Sequence, residues 1–350
     1  MIYVHIPFCK RKCLYCDFFS VCNLSLADDY TRAVINEINK TAPHEVETIY
    51  IGGGTPTALG DNLLRIVDAL RERFSLKNNY EFTVEANPGA VGGDLLKRLY
   101  ASGVNRISLG VQSFNDDELK ALGRIHNSAD ARRAAYDIQN AGFSNFSLDL
   151  MLAIPKQTKK SLGHSLDEIE RINPPHVSSY SLIVEENTPF YNMELDLCDE
   201  DSERELYYYA GERLGSMGLN RYEISNFAKK GFESVHNLHY WQDYEYTGIG
   251  AGAHSFKNLK RFNNVCDIEK YIQNQPCYEN ITEISPRERQ LELFMLGLRM
   301  TEGIRYNGEF EDRVQPLIKK GLLEISDGYL RLTLRGTDLA NLVFMEFLDD

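Results

Sequence analysis

Residues 5–18 read HIPFCKRKCLYCDF, and the three cysteines within them, Cys9, Cys13 and Cys16, are spaced C-x3-C-x2-C. Three thiolates can hold three irons of a [4Fe–4S] cube and leave the fourth iron open to a small chelating molecule. Protein thiolates are the usual ligands of such clusters, and soft sulfur suits iron–sulfur chemistry over hard metals. A zinc site normally takes four ligands. His5 before the motif and Cys22 after it keep zinc open on spacing alone, and a chance grouping of thiols is the third reading. The β-rich run Ile2–Ile6 immediately precedes the motif, so the cysteines fall on the loop after a first strand.

The same strand-then-signal pattern recurs. β-rich runs at Thr48–Ile51, Glu81–Glu85, Arg106–Val111, Phe146–Leu150 and Val177–Ile183 alternate with helical patterns. Asp61–Phe74 places Leu63, Ile66, Val67 and Leu70 at i, i+3, i+4, i+7, and Ser161–Ile172 places Leu162, Leu166, Ile169 and Ile172 at similar spacing. Six strand–helix units predict an α/β fold with a parallel sheet, and six fit a partial (β/α)6 barrel better than a closed one of eight. Gly52-Gly53-Gly54-Thr55 follows the second run, Glu85 ends the third, Gln112 and Ser113 end the fourth, and Asp149 lies at the end of the fifth. In a βα barrel all strand C-termini open on one face, where sites are built.

Composition bounds the rest. The chain has 350 residues, 43% hydrophobic and 11% aromatic, which supplies a large core. A net charge of −13 argues against a nucleic-acid groove and against broad attraction to anionic membranes. Seven cysteines spread over this length do not read as a disulfide framework, and Cys22, Cys198, Cys266 and Cys277 read as ordinary thiols. MIYVHIPF lacks the pattern of a signal peptide, and no apolar run approaches a membrane span. The expectation is a cytoplasmic protein that meets a membrane only through partners.

After about Arg221 the pattern changes. The barrel is expected over 1–225 and a connecting region rich in aromatics, glycine and histidine over 226–280. A small α+β, winged-helix-like C-terminal domain follows over 281–350. It comprises a helix at 286–300, a second at Phe310–Lys320, a hairpin turning at Asp327-Gly328, and a last helix from Thr337 to Phe347. Without a basic surface, that module fits a packing or docking role.

Glycines at 52–54 serve either a tight βα turn or close approach of backbone to a ligand. Glu85, Gln112, Arg124 and Asp149 are each ordinary alone. Together they can hold a ligand with a carboxylate, an amine and a ribose. His236-Asn237-Leu238-His239-Tyr240-Trp241 contains the only tryptophan. It reads either as a structural aromatic patch or as a frame for a flat conjugated ligand, since histidine is a standard haem ligand. His254, in GAGAHS, is a weaker candidate of the same kind.

The runs HIPFCKRKCLYCDF, IGGGTPT (51–57), EANP (85–88), SLGVQSF (108–114) and LGRIH (122–126) resemble the radical S-adenosylmethionine (SAM) enzymes of the coproporphyrinogen III dehydrogenase (HemN-like) superfamily, and within it the haem-chaperone branch. The resemblance covers nearly the whole chain. It implies a [4Fe–4S] cluster on Cys9, Cys13 and Cys16, with SAM on the open iron. It implies SAM contacts from Tyr3, Gly53, Gly54, Thr55, Glu85, Gln112, Arg124 and Asp149. The H-N-x-x-Y-W pattern implies haem contacts from His236, Asn237, Tyr240 and Trp241, and haem and acceptor haemoproteins of the respiratory chain as partners; a homodimer is compatible with it. The alternatives are an oxygen-independent coproporphyrinogen III oxidase, decarboxylating propionates through a 5′-deoxyadenosyl radical, and another radical reaction such as methylation. The oxidase branch carries a further cysteine where this chain has Phe18, and a long extension before a motif that here begins at residue 9. One departure stands out. Ala153 replaces a usual glycine, adding a methyl group expected to tighten that edge of the site.

Overall fold

The computed structural model describes residues 1–348. Strand and helix alternate from the start: β1 (Ile2–Ile6), α1 (Ala27–Lys40), β2 (Glu45–Gly53), α2 (Asp61–Arg73), β3 (Ser75–Ala86), α3 (Gly93–Ala101), β4 (Arg106–Gln112), α4 (Asp116–Ala121), α5 (Ser128–Asn140), β5 (Asn145–Leu152), α6 (Lys159–Ile172) and β6 (His176–Ser181). β1 to β6 lie side by side in chain order, and each neighbouring pair is parallel. This is the six-unit partial barrel that the alternation predicts.

The strands have two unlike faces. Ile2, Val4, Ile6, Ile49, Ile51, Phe82, Val84, Ile107, Leu109, Leu148 and Val177 are buried in one large core with the helices. α1 contributes Tyr30, Ala33, Val34 and Ile38, and α6 contributes Leu162, Leu166, Ile169 and Ile172, each a stripe at helical spacing. The alternate residues of the strands are polar or aromatic: Tyr3, His5, Thr48, Tyr50, Glu81, Thr83, Glu85, Arg106, Ser108, Ser147, Asp149, Ser178 and Tyr180. Period-two alternation puts these on the opposite face, the inside of the barrel.

Past β6 come α7 (Glu200–Ser216), β7 (Asn220–Arg221), β8 (Asn226–Ala228), α8 (Val235–Trp241) and β9 (Thr247–Ile249). β8 joins β6 antiparallel and β7 pairs with β8, while β9 pairs parallel with β1 at the other end. The nine-stranded sheet therefore stays open, in the order β7-β8-β6-β5-β4-β3-β2-β1-β9. Residues 226–280 do not stand apart from it, since β8 and β9 are part of the sheet. The rest of that stretch forms β10 (His254–Lys257), β11 (Lys260–Asn264), α9 (Ile268–Gln273) and β12 (Tyr278–Glu283), a three-stranded antiparallel sheet with α9 between its last two strands. The GIGAGAHS turn is clasped by α1: Gly250 N–H donates to Glu37 Oε2 at 2.9 Å, and Ala251 N–H donates to Tyr30 Oη at 2.9 Å.

The C-terminal part holds α10 (Pro286–Gly297), β13 (Ile304–Arg305), α11 (Glu311–Lys319), β14 (Leu323–Ser326), β15 (Tyr329–Leu332), α12 (Leu334–Asp338) and α13 (Ala340–Met345) around a second core of Leu291, Phe294, Leu298, Val314, Leu317, Leu330, Val343 and Phe347. The hairpin turns on Asp327 and Gly328, both at positive φ, as a two-residue turn between twisted strands requires. The single last helix expected from Thr337 to Phe347 is instead two short helices broken at Leu339, whose φ is −114°. Thr333 caps the first by accepting from Gly336 N–H, which starts the helix before residue 337. Among the described residues, no helix is long and apolar enough to cross a membrane.

Candidate functional site

The cysteine loop is tied across the strand ends by backbone bonds. Cys9 N–H donates to Val21 O at 2.9 Å, and Val21 N–H donates to Pro7 O at 2.7 Å, which closes the loop at its base. Leu14 N–H reaches Leu122 O at 3.1 Å, and Phe190 N–H reaches Leu14 O at 3.0 Å. Leu14 and Tyr15 pack with Leu122, Met151, Ile154 and Phe190 in a small apolar cluster of their own. The loop is thus held at its base and its crown, with the three thiols between.

Each glycine of the second strand end leaves room for a different group. A Cβ on Gly52 would lie 2.8 Å from the Tyr50 ring and 2.9 Å from the Glu85 carboxyl. On Gly53, at φ +112°, it would lie 2.6 Å from the His5 ring. On Gly54 it would lie 2.7 Å from Phe8 O and 2.9 Å from Cys9 Sγ. The run is therefore more than a tight turn, because it brings β2 against both the cysteine loop and β3.

Cys9, Cys13 and Cys16 line one cavity with Gly53, Gly54, Thr55, Glu85, Gln112, Arg124 and Asp149. Seven of the eight expected SAM contacts thus share a cavity with all three thiols. Tyr3 is not among the residues lining it. It sits deeper, its hydroxyl 3.0 Å from His5 Nδ1. Thr55 Oγ1 donates to Cys9 Sγ at 3.6 Å, and Arg124 Nη1 donates to Cys13 Sγ at 3.4 Å. Glu85 accepts from Tyr50 Oη at 2.8 Å and from Gly53 N–H at 3.0 Å. Asp149 accepts from Ser108 Oγ at 3.2 Å. Burial pushes Glu85 up to about 7, with its hydrogen bonds opposing, and burial raises Asp149 as well.

The residues present fit a cluster and an amino-acid-bearing ligand. Burial raises the Cys9 thiol and takes Cys16 to about 11, so these sulfurs are protonated near neutrality until a metal displaces the proton. Arg124 keeps a buried Nε without a hydrogen-bond partner beside the cavity, which suits a carboxylate. Among the described residues, the zinc reading finds no fourth Cys or His ligand in the cavity, whose lining includes neither His5 nor Cys22. Both His5 ring nitrogens are engaged, by Tyr3 Oη and Phe19 O, and Cys22 is exposed. Among the described residues, no three His, Cys, Asp or Glu side chains are grouped closely enough to hold a single ion. A cube puts each thiolate on a different iron, so its sulfurs need not converge on one point.

The HNLHYW segment lies elsewhere. It forms α8, whose N-terminus is held by Glu81 at the start of the inner face of β3. Val235 N–H, His236 N–H and Ser234 Oγ all donate to that carboxylate, at 2.9, 3.1 and 3.3 Å. His236 is 1% exposed. Its Nδ1 lies 2.8 Å from Thr48 Oγ1 and its Nε2 lies 3.3 Å from Tyr240 Oη. Burial keeps it neutral. Asn237, Tyr240 and Trp241 are half-buried, and the Arg299 guanidinium lies 4.3 Å from the Trp241 ring centroid. α8 therefore floors the barrel at the strand N-termini, opposite the cysteines. His254 is exposed on β10.

Several cavity residues escaped the sequence reading: Tyr15, Asn87, Ser108 and Tyr180. Tyr180 donates to Gln112 Oε1 at 3.0 Å from the end of the sixth strand. The strand-end rule that found five signals covers this sixth one too.

An ordered parallel sheet with a three-cysteine loop over its C-terminal edge is the arrangement of a radical SAM protein, and the radical SAM superfamily model matches residues 3–169. The HemN C-terminal domain model matches residues 284–339. The chain is 39% identical to the heme chaperone HemW of Bacillus subtilis (strain 168), over 99% of both chains. It is 37% identical to the heme chaperone HemW of Escherichia coli (strain K12), over 94% of this chain and 91% of that one. It belongs to the HemW heme chaperone family. Its fold is also that of the coproporphyrinogen III oxidase HemN of Escherichia coli, with a TM-score of 0.87 over 99% of this chain and 89% of that one, at 23% identity.

Proposed function

We propose that this protein is a haem chaperone. It carries a [4Fe–4S] cluster on Cys9, Cys13 and Cys16 and SAM in the adjoining cavity, binds haem, and passes it to acceptor haemoproteins, those of the respiratory chain on the family resemblance. The observation that carries this reading is 39% identity to the heme chaperone of Bacillus subtilis over 99% of both chains. When bound, the cluster supplies an open iron for SAM. Around it, Arg124 would pair with the SAM carboxylate, the backbone of Gly53 and Gly54 would face its amino group, and Glu85 and Asp149 would accept from its amine and ribose donors. Thr55 and Gln112 edge the same cavity.

His236, Asn237, Tyr240 and Trp241 are the proposed haem contacts. The burial of His236 means that haem meets that imidazole only if α8 shifts from the floor. Phe18 stands where the oxidase branch carries a cysteine, and it is 62% exposed.

The test is anaerobic reconstitution followed by two separate assays, haem binding by Soret absorbance and decarboxylation of coproporphyrinogen III. Haem binding without decarboxylation supports the chaperone. Decarboxylation would overturn it as the sole function.

A further inference from the structure

One group of side chains joins the floor of the barrel to its top. The His236 ring lies against the Tyr50 ring, centroids 5.1 Å apart and planes 29° apart. Tyr50 in turn donates its hydroxyl to Glu85 Oε1 at 2.8 Å. Tyr3 stacks on Tyr50 from the neighbouring strand, at 6.2 Å and 27°. Gly52 leaves the space that the Tyr50–Glu85 pair fills. His236 is itself fixed on both nitrogens, and its helix is fixed by Glu81. An imidazole held this firmly at the floor, facing a ring whose far end orients a cavity carboxylate, is placed to act on the cavity as well as to meet haem.

We propose that His236 is a positioning residue of the SAM site, acting through Tyr50 on Glu85. The proposal rests on the reading of the cavity given above. Tyr50 cannot both keep its hydroxyl on Glu85 and tilt into the space beneath it. His236 fills that space, and Tyr3 bounds the other side. Removing the imidazole frees the ring to drop, and Glu85 loses the Tyr50 donor on Oε1 and keeps only the Gly53 N–H on Oε2, so the carboxylate that lines the cavity is no longer fixed at both oxygens. The motif at 236–241 then acts on SAM from the opposite end of the barrel, with no atom in the cavity.

The experiment is a double-mutant cycle on the full-length, anaerobically reconstituted chain. It reads the SAM dissociation constant by equilibrium binding and the SAM-induced change in the electron paramagnetic resonance spectrum of the reduced cluster. Tyr50→Phe and His236→Ala are each expected to weaken SAM about tenfold, the scale of one hydrogen bond to a charged group. The double variant is expected to be no weaker than either single one, because both remove the same contact. His236→Phe keeps a flat ring under Tyr50 and is expected to recover most of the affinity. His239→Gln, on the same helix without contact to Tyr50, is expected to bind SAM as the wild type does. Where His236→Ala fails to fold, His236→Gln completes the cycle. Wild-type affinity in the folded His236 variant overturns the inference, as do effects that multiply in the double variant. A wild-type chain that takes up the cluster and does not bind SAM overturns the cavity reading as well.

Discussion

Glu85 Oε2 accepts the Gly53 N–H at 3.0 Å, tying the end of the third strand to the glycine turn of the second. That bond places a carboxylate in the lining of the cavity, where burial raises it to about 7. A carboxyl that holds its proton more tightly when folded contributes stability below its unfolded value, near 4.5, and loses it as pH rises through the folded value. Glu85→Gln removes the titration. The gap in melting temperature between the ligand-free variant and wild type is expected to shift in favour of the variant between pH 5.5 and pH 8. A gap independent of pH would contradict this.

The Glu81 carboxylate takes three donors at the start of α8. Glu81→Ala strands those donors in a buried place and is expected to cost about 2–4 kcal/mol in urea unfolding. A loss under about 1 kcal/mol would show that α8 is held by its packing alone.

Gly54 has no space for a side chain beside Cys9 Sγ and Phe8 O. Gly54→Ala is expected to reduce iron and sulfide content after reconstitution. Gly60→Ala serves as the strain control, because Gly60 has positive φ and open space around it, and it is expected to load normally. Equal loading of both variants would contradict the close approach.

Ala153 stands at φ +55° and is 5% exposed. The left-handed backbone costs about 1–2 kcal/mol in a residue with a Cβ. Glycine would relieve that, but it forfeits about 0.8 kcal/mol of methyl burial and about 0.5–1 kcal/mol of chain entropy. The terms nearly cancel, so Ala153→Gly is expected to change stability by less than about 1 kcal/mol in thermal or urea melts.

The parallel order of β1 to β6 was legible because each β-rich run is separated from the next by a helical pattern. The cavity was legible because βα units deliver their strand ends to one face, so Cys9, Gly53, Glu85, Gln112 and Asp149 meet without any knowledge of the packing. The inner face was also written in the strands, as T-x-Y in β2, E-x-T-x-E in β3 and S-x-D in β5, and it went unread because fully buried parallel strands are expected to be apolar on both faces. The place of His236 was not legible. Its partners Thr48, Tyr50 and Glu81 lie more than 150 residues away, and local spacing carries no trace of which end of a barrel a later helix closes. The same holds for the strands added at both edges, β8 and β9, each only three residues long. The early start at Leu334, capped by Thr333, and the break at Leu339 are local backbone choices that helical periodicity does not register.

The measurement that tests the central claim most directly is haem transfer. The reconstituted chain is loaded with haem and mixed with an apo-haemoprotein of the respiratory chain, and the Soret band of the acceptor is followed. A chaperone predicts that acceptor haem appears at a rate that rises with acceptor concentration and exceeds spontaneous release from the loaded chain. Transfer no faster than spontaneous release, whatever the acceptor concentration, would contradict it.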